Sequence, residues 1–212
     1  MNVLLVLGGA QPTQQLLATE FARADLTIAI DGGMKVFQQG NMTPQLLIGD
    51  LDSYDKPLNS GLEILQVRDQ NSTDLQKAFV YVFKNYQPDA IVLLGATGGR
   101  TDHLVNNLHI CASIDSKCQI ILKNDNDLEA GFTMEELVRV TPETETDLEV
   151  NNGATLSIIA VSAFNGLHSK GLKWEIIDAN SDSGYFSQSN LVNSDNPRIS
   201  LHSGCVYVAV YQ

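Results

Sequence analysis

Aspartates carry most of the chemistry available to this sequence. They fall in four short clusters: Asp31 in Asp31-Gly32-Gly33, Asp50 and Asp52 in Gly49-Asp50-Leu51-Asp52-Ser53, Asp74 in Ser72-Thr73-Asp74, and Asp102 in Gly99-Arg100-Thr101-Asp102-His103. Each cluster falls at the end of a run with strand character. In an open α/β sheet the carboxyl ends of the strands form one rim, and ligands bind there. Several carboxylates on one rim repel one another and raise one another's pKa unless a cation neutralises them. Oxygen-only donors of this kind suit a hard divalent ion, magnesium above all. Zinc does not fit, because neither His nor Cys accompanies the clusters at ligand spacing. Singly, each cluster has a plainer explanation. Asp74 or Asp102 before a helix is an N-cap, Asp-Gly-Gly is a turn, and Asp50-Leu51-Asp52 is a solvated loop. Recurrence after successive strands is what points to a shared site.

Magnesium keeps waters and binds through a few carboxylates plus substrate phosphates. Two glycine-rich stretches, Gly8-Gly9 and Gly95-Ala96-Thr97-Gly98-Gly99-Arg100, follow strand-like runs, where backbone N–H groups can approach an anion at a helix start. Arg100 can clamp such an anion bidentately. Neither stretch is a Walker A loop or a Gly-x-Gly-x-x-Gly motif, and tight-turn packing explains each equally well.

Elements must place these residues. Strand-like runs at Val3 to Leu7, Leu26 to Ile30, Leu46 to Ile48, Ile64 to Val67, Ile91 to Leu94 and Gln119 to Leu122 alternate with helix-like segments, the pattern of a doubly wound, mostly parallel α/β sheet with helices on both faces. The clearest helix starts at Thr73-Asp74, where Leu75, Phe79, Val82, Phe83 and Tyr86 recur at spacings of three and four. From residue 124 on, the pattern changes to short strand-like runs (Glu136 to Val140, Ala154 to Val161, Leu172 to Ile176, Val206 to Tyr211) between Asn, Asp, Ser and Gly turns. That predicts a small all-β sandwich domain at 124–212 after an α/β domain at 1–123. The stretch Asp125 to Glu149 holds nine acids and one base, Arg139, which reads as a solvated face or hairpin edges.

The ordered set Asp31-Gly32-Gly33, Gly49-Asp50-Leu51-Asp52-Ser53, Ser72-Thr73-Asp74-Leu75-Gln76-Lys77-Ala78 and Leu94-Gly95-Ala96-Thr97-Gly98-Gly99-Arg100-Thr101-Asp102-His103 resembles the motifs of the thiamin pyrophosphokinase family. Gly171-Leu172-Lys173-Trp174 and Ser187-Gln188-Ser189-Asn190 extend the resemblance into the β-rich part. The resemblance implies transfer of the pyrophosphoryl group of ATP to the hydroxyl of thiamin, giving thiamin diphosphate and AMP. It implies an α/β domain for magnesium-ATP, a β-sandwich for thiamin, and a homodimer with shared active sites. Carried over by motif, Asp50, Asp52 and Asp74 hold magnesium, and Asp31 and Asp102 line the same site. Gly32, Gly33, Lys77, Gly98, Gly99 and Arg100 serve ATP. Gln70, Trp174, Ser187, Ser189 and Asn190 serve thiamin. Thiamin carries a fixed positive charge on which Trp174 could stack, although a lone Trp in a β-domain is ordinarily core. The motifs do not rank the aspartates as proton acceptor.

Composition narrows the alternatives. With 25 acidic and 13 basic side chains, a formal charge of −12, attachment to nucleic acid or anionic lipid is disfavoured. No apolar run approaches the roughly 20 residues of a membrane span, and the start lacks a basic n-region, so a cytoplasmic protein is expected. Cys111, Cys118 and Cys205 lack metal or disulfide spacing and read as small buried apolar residues. Two rivals remain on sequence: a noncatalytic nucleotide- or thiamin-sensing module, and a phosphotransferase acting on another small alcohol.

Overall fold

The structure, a computed structural model, describes residues 1–49, 62–66, 71–114, 117–126, 131–144, 146–148, 150–182 and 185–212, and the side chains of all of these except 146, 147, 185 and 186. The chain forms two compact units, Met1–Ile110 with Leu122–Asp127, and Cys111–Ile121 with Leu128–Gln212.

The first unit runs β1 (Asn2–Val6), α1 (Gln14–Arg23), β2 (Leu26–Ile30), α2 (Gly33–Gln39), β3 (Leu46–Gly49), β4 (Glu63–Gln66), α3 (Asp74–Asn85), β5 (Ala90–Leu94) and α4 (Thr101–Ala112), whose last two residues, Cys111 and Ala112, belong to the second unit. Its sheet has the order β5-β1-β2-β3-β4, with every neighbouring pair parallel. Strands β2 and β3 are buried at every residue. Such near-continuous apolar runs belong to parallel strands covered on both faces by crossover helices. The helix signals act as expected at α3: Leu75, Phe79 and Val82 are buried on one face. The cap, however, is Thr73, whose hydroxyl accepts the Gln76 N–H while the Gln76 side chain reaches back to the Thr73 N–H. This capping box takes the N-cap role from Asp74. Asp102 likewise lies inside α4 and is not its cap.

Strand β6 (Gln119–Asn124) is divided between the units. The second unit adds β7 (Glu135–Val140), β8 (Thr146–Asp147), β9 (Thr155–Ala160), β10 (Phe164–Lys170), β11 (Ala179–Ser181), β12 (Tyr185–Leu191), β13 (Arg198–Ser200), β14 (Ser203–Gly204) and β15 (Val206–Tyr211). Antiparallel layers β12-β9-β15-β7 and β11-β10-β13-β8 enclose a sandwich core. Val138, Val140, Leu156, Ile158, Val206, Val208 and Val210 enter it at alternate positions, the period of two that a strand imposes. Phe164, Leu167, Ile199 and Leu201 fill it from the other layer.

Two expectations are corrected. Leu172 to Ile176 is not a strand. Left-handed residues at Gly171 (φ 84°) and Asp178 (φ 52°) bend the chain at both ends, and side chains take several of its backbone N–H groups from any ladder. Cys111–Ile121 group with the second unit. The second correction concerns Arg139. Far from a solvated face, it is fully buried, and its guanidinium donates to the carbonyls of Ile114 (2.6 Å), Cys118 (2.9 Å) and Cys111 (3.4 Å).

The cysteines are buried thiols, as expected. Burial pushes Cys111 up to about 12 and Cys205 to about 11, against the opposing pull of Arg139. Among the described residues no helix is long and apolar enough to cross a membrane.

Candidate active site

The strand order sets the location. From β1 the chain adds β2, β3 and β4 outward on one side, and β5 then returns to the other side of β1. Strands β1 and β5 therefore flank the topological switch point, where their departing loops separate and leave a crevice. The loops that leave these strands are the two glycine stretches. They are joined by backbone bonds from Gly9 N–H to the Gly95 carbonyl (3.0 Å) and from Ala10 N–H to the Thr97 carbonyl (3.3 Å). Gly98 (φ 70°) and Gly99 (φ 67°) are left-handed, a conformation that side chains rarely adopt. The buried Asn107 side chain of α4 braces the same stretch by donating to the Ala96 carbonyl (2.9 Å).

A cleft of about 810 Å³ opens over these loops. It brings together Asp31, Gly32, Asp74, Lys77, Gly98, Gly99, Arg100 and Asp102. Asp31 follows β2 with a left-handed backbone (φ 44°), fixed by its N–H donating to the Ile48 carbonyl (2.8 Å). Gly33 stays beneath the cleft surface: a Cβ there would lie 1.9 Å from the Val6 carbonyl oxygen, so only glycine lets α2 start this close to β1. The loop ahead of α1 has its own brace. Asp125 accepts from the Thr13 N–H (2.9 Å) and hydroxyl, and Asn126 donates to the Gln11 carbonyl (3.1 Å).

Among the described residues, both cations lining the cleft, Lys77 and Arg100, are paired. Lys77 Nζ lies 2.9 Å from Asp74 Oδ1, one helical turn away and largely buried. Arg100 meets Asp102 through Nε (3.1 Å) and a terminal nitrogen (2.6 Å). The hydrogen bond from Arg100 holds the Asp102 carboxyl below its ordinary value, so it stays ionised.

Among the described residues no group of three or more His, Cys, Asp or Glu gathers to hold a metal ion. The described carboxylates lining the cleft, Asp31, Asp74 and Asp102, and the hydroxyls of Ser72 and Thr73 are hard oxygens, and that chemistry fits magnesium. Asp50, Asp52 and Gln70 lie outside the described residues.

Trp174, Ser187, Ser189 and Asn190 belong to the second unit. Trp174 is 56% exposed, which removes the core alternative. Asn190 is buried, and its side-chain amide grips the Trp174 backbone on both sides. A register shift between Ser187 and Asn190 and a left-handed Ser189 (φ 56°) re-aim this part of β12, as bulges do. Sequence reasoning missed Asn106 and Asn107 and gave His103 no role, yet all three line the cleft. The three-residue step from His103 to Asn106 on one helix was the available signal.

Two family models match the chain in order: thiamin pyrophosphokinase, catalytic domain, over residues 17–122, and thiamin pyrophosphokinase, vitamin B1 binding domain, over 141–206. Thiamine pyrophosphokinase 1 of Oryza sativa subsp. japonica is 26% identical over 176 residues, covering 77% of this chain and 65% of the rice protein. The chain thus spans less than two thirds of that relative's length. The crystal structure of thiamine pyrophosphokinase from Bacillus subtilis superposes with a TM-score of 0.77 at 22% identity, covering 100% of this chain and 99% of that one. Thiamin pyrophosphokinase from Candida albicans gives 0.78 at 17% identity, covering 99% and 88%. These structures share the fold; the two matched models go further, and by them the chain belongs to the thiamin pyrophosphokinase family.

Proposed function

We propose that this chain transfers the pyrophosphoryl group of ATP to the hydroxyl of thiamin, giving thiamin diphosphate and AMP. The observation that carries this reading is the cleft at the switch point, where glycine loops, carboxylates and two cations converge. The thiamin oxygen bonds to the β-phosphorus, the bond from that phosphorus to the α–β bridging oxygen breaks, AMP leaves, and the hydroxyl proton passes to a base. Charge develops on phosphoryl oxygens, so positioning and electrostatic neutralisation do most of the work.

Backbone N–H groups of the Gly98-Gly99 loop and of Gly32 receive ATP, Asp31 and Gly33 shape the turn that presents Gly32, and Arg100 and Lys77 move from their carboxylate partners to phosphate. The Arg100–Asp102 pair is 74% and 63% exposed, and pairs that exposed contribute little, so releasing Arg100 costs little. Asp50, Asp52 and Asp74 would hold magnesium, whose chemistry there is charge neutralisation. Asp31 and Asp102 complete the acidic lining. Gln70, Trp174, Ser187, Ser189 and Asn190 serve thiamin. The active species is a homodimer with shared sites, and its buried thiols suit the reducing cytoplasm.

Turnover requires a divalent cation, and Asp50→Asn or Asp52→Asn lowers kcat by about a hundredfold through lost charge positioning. Near-wild-type kcat in both variants contradicts the assignment.

A further inference from the structure

Trp174 is the only tryptophan in the sequence, and its exposure is not that of a loose loop. Gly171 and Leu172 donate their N–H groups to Glu175 Oε1 (2.7 and 3.2 Å). Lys173 N–H donates to the Leu191 carbonyl (2.8 Å), and Trp174 N–H to Asn190 Oδ1 (3.1 Å). Ile176 N–H donates to Ser169 Oγ (2.7 Å), whose hydroxyl donates to Glu175 Oε2 (2.8 Å). Asn190 Nδ2 closes the set on the Trp174 carbonyl (2.7 Å). Leu172 and Ile176 anchor the turn in the core at 3% and 7% exposure, while Ile177 beside them is 80% exposed. Glu175 is itself exposed, so water competes for its oxygens, yet three donors of one turn converge on its carboxylate. The product is a densely hydrogen-bonded turn that displays an indole. One face of that indole already takes a cation, with Lys173 Nζ 4.6 Å from the ring centroid, the geometry of a cation–π contact.

We propose that Glu175 is a positioning residue: its carboxylate locks the 169–176 turn and, with Asn190, holds the Trp174 ring ready to receive the cationic ring of the substrate. This rests on the reading that Trp174 stacks on thiamin. A ring fixed before binding loses little conformational freedom when substrate arrives, so the clamp acts on substrate affinity. Glu175 touches neither substrate nor phosphate and acts only through the turn.

The single tryptophan makes fluorescence anisotropy a direct probe of this turn in the full-length protein. In Glu175→Ala the anisotropy falls in the absence of substrate and the KM for thiamin rises about tenfold, while the KM for ATP and kcat stay near wild type. Glu175→Gln, which keeps an acceptor for the Gly171 and Leu172 N–H groups, restores most of both. Ser169→Ala, which removes one strand of the clamp, shifts both readouts in the same direction and by less. An unchanged thiamin KM in Glu175→Ala overturns the proposal, whether or not the anisotropy falls. Trp174→Ala separates the two ideas. A wild-type thiamin KM in that variant overturns the ring contact and the clamp with it. A raised KM there, together with a wild-type KM in Glu175→Ala, overturns the clamp alone.

Discussion

Arg100 and Asp102 lie two residues apart and grip each other in a fork, and in the proposed reaction this guanidinium leaves the carboxylate for phosphate. Planar, bidentate donation is the property at stake, and lysine does not reproduce it. Arg100→Lys should therefore lower kcat by about tenfold or more while leaving the thiamin KM nearly unchanged, a split that steady-state kinetics reads directly. The buried thiols give a pH prediction. Cys111 and Cys205 ordinarily titrate near 9, and burial lifts them to about 12 and about 11. The native state thus keeps protons that the unfolded chain releases. Their contribution to stability is complete below pH 9 and is lost as pH rises through 11 to 12. Chemical denaturation across that range should show stability falling, with a shallower fall in Cys205→Ala. A pH-independent denaturation midpoint from 8 to 11 would contradict it.

Helix α3 shows what an element adds to its residues. Thr73 and Gln76 close the capping box, which leaves the Asp74 carboxylate to face the cleft and pair with Lys77. Thr73→Ala should cost about 1 kcal/mol of stability, visible as a lower thermal midpoint. The α/β alternation, the parallel strands and the start of α3 were legible because burial on both faces and helical spacing leave periodic marks in sequence. The cleft's aspartates and glycines were legible because turns and strand ends tolerate few other residues. The burial of Arg139 was not, since it depends on where one guanidinium finds its carbonyls. Nor was the turn at Leu172 to Ile176, whose apolar spacing imitates a strand while side-chain acceptors from Glu175 and Asn190 decide the backbone. Hydrogen bonds between residues distant in sequence write no period.

At the scale of the whole molecule, the fold places glycine loops, carboxylates and cations at the switch point of a parallel sheet and gives the sandwich unit an exposed indole whose backbone is held by side-chain hydrogen bonds. If the active species is a dimer with shared sites, mixing Asp52→Asn subunits with subunits carrying Ser187→Ala and Asn190→Ala should restore part of the activity lost by each. Verified heterodimers without rescue would mean that each subunit builds its site alone. The substitutions at Ser187, Ser189 and Asn190 should raise the thiamin KM before the ATP KM, and the reverse order would assign β12 to the nucleotide. The most direct test of the account follows the phosphorus atoms. Phosphorus NMR of a reaction with ATP, thiamin and a divalent cation should show AMP and thiamin diphosphate appearing in equal amounts. Formation of ADP with thiamin monophosphate, or no turnover despite binding of both substrates, would contradict pyrophosphoryl transfer.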